Sequence, residues 1–118
     1  MSQTTHKYDL EERTARFGEE IILFAKELPQ DVVTQTIVRQ LVRSGTSIGA
    51  NYMEANGASS RKDFRNKIHI CKKEAQESKH WLRMSLKCWP EKEDVIKLLQ
   101  QECQELVMIF QKICSSLR

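Results

Sequence analysis

Three groups of side chains in this 118-residue chain are of types and spacings that could do chemistry. Glu77 and His80 stand three residues apart, the spacing at which di-iron bundles offer a carboxylate and an imidazole to one metal. Such a centre also needs a second Glu-x-x-His and a carboxylate from each remaining helix, and no other Glu-x-x-His occurs. No metal site and no cofactor is therefore expected. Ser44 and Ser47 would need a neighbouring base to act as nucleophiles, and their own segment contains no histidine. They read as packing and hydrogen-bonding residues, so no catalytic residue is assigned and an enzyme is not expected. The third group is positive charge, and its distribution is uneven.

Between Arg61 and Lys87 lie Arg61, Lys62, Arg65, Lys67, Lys72, Lys73, Lys79, Arg83 and Lys87, against only Asp63, Glu74 and Glu77. The formal net charge of the whole chain is +3, so the segments on either side lean acidic. A basic stretch of this kind attracts phosphates without reading bases. The candidate nucleic-acid-binding residues are Arg61, Lys62, Arg65, Lys67, Lys72, Lys73, Lys79 and Arg83, with RNA or DNA as the partner. The competing reading is a solvated helix face whose charge is offset by acidic neighbours elsewhere in the fold. Trp81 and Trp89 could stack on bases, although at these spacings tryptophans more often pack.

These residues must be positioned by helices. Leu10, Phe17, Ile21, Phe24 and Leu28 recur at helical steps, and Pro29 ends that run. A second helix starts at the N-cap candidate Asp31 and reaches about Asn56. Ser60 and Asp63 form a capping-box pattern ahead of the stripe Phe64, Ile68, Cys71, Ala75, Ser78, Leu82 and Leu86. Pro90 suits a first turn, followed by Glu91, Glu93 and Asp94 at the positive helix end. Ile96, Leu99, Cys103, Leu106, Phe110, Ile113 and Leu117 then alternate in threes and fours. Short connections make sequential helices antiparallel. The expected fold is all-α: one domain over 1–118, an antiparallel up-down-up-down four-helix bundle with helices near 9–28, 31–56, 60–88 and 91–117.

The second helix is unusual. Gln40, Ser44, Ser47, Asn51 and Glu54 form a continuous polar seam that asks for partners on a neighbouring segment. Glu54 is expected to pair with Arg43 of a neighbouring subunit or with a basic residue of the third helix, as a buried pair. Gly45 and Gly49 each cost ~1 kcal/mol relative to Ala inside a helix. Their spacing predicts close approach of another backbone, with a kink at the Gly-Ser positions as the rival. Apolar residues off the main stripes (Ile70, Trp81, Met84, Trp89, Val95, Leu98, Val107 and Ile109) leave surplus surface for self-association.

No apolar run approaches the ~20 residues of a membrane span, and Met1–Lys7 lacks the apolar core of a signal peptide. Cys71, Cys88, Cys103 and Cys114 are widely spaced and fit reduced core or boundary thiols. A cytoplasmic location is expected, with no membrane partner and no small-molecule substrate.

The patterns Leu28-Pro29, Gln40-Leu41-x-Arg43-Ser44-x-x-Ser47-Ile48-x-x-Asn51-x-x-Glu54 and Gly57-x-x-Ser60-x-x-Asp63-Phe64 resemble a known family. It comprises the four helix bundle proteins encoded by intervening sequences in bacterial 23S ribosomal RNA genes. Accessory proteins of diversity-generating retroelements are related to them in fold. The run Lys73-Glu74-Ala75-Gln76-Glu77-Ser78-Lys79-His80-Trp81-Leu82 is similar to one branch. The specific match covers residues 28 to 86. Ala55 departs from the glycine, and Ala58 from the basic residue, that many members carry. The resemblance implies a barrel-like homopentamer, with nucleic acid a suspected ligand of some relatives, and implies no known catalytic activity. Binding is the expected function, as a nucleic-acid-associated scaffold or accessory factor on a basic third helix. The alternative is a protein–protein interaction module without nucleic-acid binding.

Overall fold

The computed structural model describes residues 9–117, and all regular structure among them is helical. The segment Met1–Lys7, read above for a signal peptide, lies outside the described residues. Four helices form a bundle: α1 Leu10–Lys26, α2 Val32–Asn56, α3 Arg61–Cys88 and α4 Glu93–Ser116, with a 3-10 turn at Pro90–Lys92 leading into α4. No described helix is long and apolar enough to cross a membrane.

Local chemistry sets the ends. Asp31 accepts from the backbone N–H groups of Val33 and Thr34, both at 2.9 Å, while the Thr34 hydroxyl accepts from the Asp31 N–H at 2.8 Å. This reciprocal arrangement satisfies donors that the first turn leaves unpaired. Ser60 caps α3 by accepting from the Asp63 N–H at 3.0 Å. The return bond goes one residue further back than the pattern suggests, from the Ser59 N–H to the Asp63 carboxylate at 3.4 Å.

The apolar stripes converge on one core. Leu10, Phe17, Ile21, Phe24 and Leu28 are all buried, as are Ile68, Cys71, Ala75 and Leu82 of α3 and Ile96, Leu99, Cys103, Leu106 and Phe110 of α4. Burial of the thiols raises their pKa values, to about 12 for both Cys71 and Cys103. Such thiols behave as small hydrophobes, and all four cysteines are unpaired. Trp89 differs from expectation. It is not a flanking residue but part of the core, 3% exposed, and its indole N–H donates to the Pro29 carbonyl at 3.0 Å. That bond sets the indole against the link between α1 and α2. Val95 and Leu98 stay outside, 44% and 69% exposed.

The glycines hold α1 against α2. A Cβ on Gly45 would lie 3.0 Å from Ile21 Cγ1, and one on Gly18 would lie 3.5 Å from the Thr46 Cα. Close approach explains Gly45 and Gly49, and α2 runs unbroken through both. Packing is extensive between α1 and α2, α2 and α3, and α3 and α4, whereas α1 and α4 approach closely at few points. Arg13 bridges that seam. Its guanidinium donates to both oxygens of Glu102, at 2.7 and 2.9 Å, and to Glu105 at 2.5 Å.

Candidate nucleic-acid interface

The basic residues of α3 sort into three positions. Arg61, Arg65, Lys72, Lys79, Arg83 and Lys87 follow one another at steps of four, seven, seven, four and four, which keeps them on one side of the helix. Lys62 and Lys73 stand beside this row on the exposed face. Lys67 is separated from the others: it turns to α2, where its ammonium lies 2.8 Å from the Glu54 carboxylate.

Neutral residues receive the row on the α4 side. Lys79 donates to Gln104 at 2.6 Å, and Lys72 donates to Gln111. The two lysines are seven residues apart and so are the two glutamines, a match of spacing already present in the sequence. Glu102 and Glu105 face the other way and hold Arg13 of α1. Among the described residues, no carboxylate comes within 4.0 Å of Arg61, Lys62, Arg65, Lys72, Lys73, Lys79, Arg83 or Lys87. Acidic neighbours on α1 and α4 therefore do not pair with this row. Arg65 is half-buried, with its Nε enclosed and lacking a hydrogen-bond partner. Together with Lys72 it lowers the pKa of Cys114 against the larger upward effect of burial, which places both cations near the C-terminal end of α4.

The polar seam of α2 meets the opposite flank of α3. Arg43 donates to Glu74 at 3.3 Å and to Glu77, and its Nε donates to Gln40 at 3.1 Å. Glu77 also accepts from the Trp81 indole N–H at 3.1 Å. The indole bond and then Arg43 hold the Glu77 carboxyl below the usual range, against an upward push from burial. His80, the other half of the Glu-x-x-His pattern, makes an edge contact with the Trp81 ring at 4.9 Å between centroids. Among the described residues, no group of three His, Cys, Asp or Glu side chains lies close enough to share a metal ion. Ser47 donates to the Arg43 carbonyl at 2.6 Å, and Asn51 to the Ser47 carbonyl at 2.8 Å, so both turn inward on their own helix.

Glu54 pairs with the third helix, the second of its two expected partners, while Arg43 is engaged within its own chain by Glu74 and Glu77. The Glu54–Lys67 pair is not buried: the carboxylate is 59% exposed, because Glu54 sits near the end of α2 where the bundle opens to solvent. Exposed pairs of this kind contribute ~0–1 kcal/mol.

The buried contact in the seam is a hydroxyl pair. Ser78 donates to Ser44 at 2.9 Å, and Ser44 donates weakly to the Leu41 carbonyl at 3.4 Å; both residues are fully buried. The sequence places Ser78 on an apolar stripe and Ser44 on a polar seam, and only their juxtaposition explains either. Removing the Ser44 hydroxyl strands the Ser78 donor, and removing the Ser78 hydroxyl leaves Ser44 only its weak bond to Leu41, whereas removing both strands neither. Ser44→Ala and Ser78→Ala are each expected to lose about 1–2 kcal/mol, and the double variant less than their sum. Urea denaturation of the four proteins measures this; additive losses would show that the hydroxyls act independently.

A small all-helical bundle, its seam closed by serines and its third helix bearing unpaired cations, is the class these residues define. The sequence profile of the 23S rRNA-intervening sequence protein family matches residues 6–112, and the chain belongs to that family. It is similar to a protein of unknown function from the S23 ribosomal protein family of Bacteroides thetaiotaomicron, whose crystal structure superposes with a TM-score of 0.79 at 30% identity. That match covers 88% of this chain and 96% of the other. No curated protein matches the chain.

Proposed function

We propose that this chain is a non-enzymatic, cytoplasmic, oligomeric binding protein that engages nucleic acid through α3, as a scaffold or accessory factor. The observation that carries this reading is the row from Arg61 to Lys87, whose α4 neighbours Gln104 and Gln111 are neutral. Cations in a row without carboxylate partners favour phosphates as ligands. The helices follow an up-down-up-down order. In support, rising numbers on one helix meet falling numbers on the next: Thr14–Gly49 and Ile21–Gly45, then Ser44–Ser78, Ile48–Cys71 and Glu54–Lys67, then Lys72–Gln111 and Lys79–Gln104.

Self-association as a cyclic homopentamer completes the proposal and would repeat the basic helix around a ring. Exposed Leu23, Val95, Leu98 and Met108, at 62%, 44%, 69% and 61%, favour a partner surface on α1 and α4. Sedimentation should then give five times the 13.8 kDa chain, about 69 kDa.

Changing Arg61, Lys62, Arg65, Lys72 and Lys73 together to Gln tests the binding reading. Wild-type protein is expected to bind labelled duplex with steep salt dependence, and the variant's slope should be shallower by ~0.9 for each phosphate no longer neutralised. Absence of wild-type binding at low salt would remove nucleic acid and leave the protein-interaction module, which the same apolar residues favour.

A further inference from the structure

We infer that the α3 face takes double-stranded rather than single-stranded nucleic acid, an inference that rests on the nucleic-acid reading above. The first support is shape. From Arg61 to Lys87 the row extends ~39 Å along one continuous helix, with gaps of ~6 and ~10.5 Å at 1.5 Å per residue. The packing of α3 against both α2 and α4 fixes the backbone spacing of this row before any ligand arrives. Lys72 and Lys79 are held further by Gln111 and Gln104.

A rigid array of cations is matched by a rigid array of phosphates. Over a few tens of ångströms a duplex is a stiff rod, with a persistence length of ~150 base pairs. Neither backbone then has to be ordered on binding, which is the advantage of preorganisation. A single strand must be ordered along the row, and proteins that bind single strands recover that cost by stacking bases on aromatic rings, at roughly tenfold in affinity per base.

Among the described residues, the rings that could do this are committed elsewhere. Trp89 is in the core and bonded to Pro29. Trp81 is tied to Glu77 on the flank that faces Arg43, across the helix from the row. Tyr52 packs on Phe110 at 6.4 Å, and Phe17, Phe24 and Phe110 are buried. Phe64 packs against the core. Among the described residues, the rings beside the row are the imidazoles of His69, half-buried, and His80, already in contact with Trp81. Among the described residues, the face thus offers charge in a fixed line and no free indole, phenol or phenyl ring.

Direction and length follow. Contacts from the row to phosphates carry no sequence information, so binding should be indifferent to sequence. Its ~39 Å length corresponds to about 11 base pairs at 3.4 Å per step.

The test uses the full chain with labelled mixed-sequence duplex DNA, duplex RNA and each separated strand, between about 50 and about 200 mM salt. Each duplex, DNA or RNA, is expected to bind about tenfold or more tightly than its strands, and affinity should drop once the duplex is shorter than about 11 base pairs. Comparison of the DNA and RNA arms identifies which duplex geometry the row fits better. His80→Ala should leave duplex affinity within about twofold, since an exposed imidazole beside a phosphate-binding row is not required for stacking. Single strands bound as tightly as duplexes, with the five-residue Gln variant abolishing that binding, would overturn the inference while leaving nucleic-acid binding intact. Failure of every ligand to bind would instead overturn the reading on which it rests.

Discussion

Gly45→Val is expected to destabilise the protein by about 3 kcal/mol, the upper part of the range for forcing added methyl groups into a filled core. The reason is Ile21. A Cβ on Gly45 already lies 3.0 Å from Ile21 Cγ1, 3.2 Å from Cγ2 and 3.3 Å from Cβ, and Ile21 is 0% exposed with nowhere to retreat. Two further methyl groups can be admitted only by separating α1 from α2. Glycine itself carries a helix penalty of ~1 kcal/mol relative to Ala. Its presence here is explained by the close approach and not by backbone conformation, since no described glycine has positive φ.

Neighbouring glycines supply the control. A Cβ at Gly18 would meet the Thr46 Cα at 3.5 Å, an ordinary contact, so Gly18→Ala should gain about 0.5–1 kcal/mol from helix propensity. Gly45→Ala falls between the two, its propensity gain set against a small forced shift of Ile21. The decisive variant is Gly45→Val combined with Ile21→Ala. If the two side chains compete for one space, the double variant should recover at least ~1 kcal/mol over the sum of the single losses. Guanidinium denaturation of wild type, both singles and the double measures this; strict additivity, or a Gly45→Val protein as stable as wild type, would sink the explanation.

How far the sequence disclosed this molecule depends on the range of the interaction concerned. Core positions along α1 and just past its end could be read directly, because Leu10, Phe17, Ile21, Phe24 and Leu28 repeat at the helical period and all are buried. Asp31 and Ser60 were equally legible, since a cap depends on the next three residues. Partnerships between helices were less so. The seam on α2 required a neighbour, but that Ser44 meets Ser78, 34 residues away in sequence, depends on the relative rotation of two helices. Whether the charge of α3 was compensated was decided in the same way. Glu102 and Gln104 are two residues apart on α4, yet one turns to Arg13 and the other to Lys79. A count of charges by segment cannot separate those two directions. Arg13 as a clamp between α1 and α4 had no local signature, because its partners lie 89 and 92 residues away.

Trp89 escapes a reading by spacing for the same reason, and its burial carries the second large effect. Trp89→Ala is expected to cost about 4 kcal/mol, within the range for truncating a buried aromatic side chain, whereas Trp89→Phe should cost about 1 kcal/mol. The indole fills the end of the core where α3 turns toward α4, and its N–H reaches the Pro29 carbonyl in the link between α1 and α2. It thus joins two connections 60 residues apart. Phenylalanine keeps most of the buried area and gives up only this hydrogen bond. Pro29 is exposed, so water can replace the missing donor at its carbonyl, which is why the smaller substitution is mild. Alanine removes both the bond and the packing and leaves a cavity against the core. Fluorescence of a Trp81→Phe protein, in which Trp89 is the remaining indole, should report a buried ring that moves to solvent only on global unfolding. Calorimetry of the two Trp89 variants then tests the division. Equal losses would mean that the hydrogen bond, and not the ring, secures this end of the bundle; negligible losses in both would mean that the end is held without Trp89.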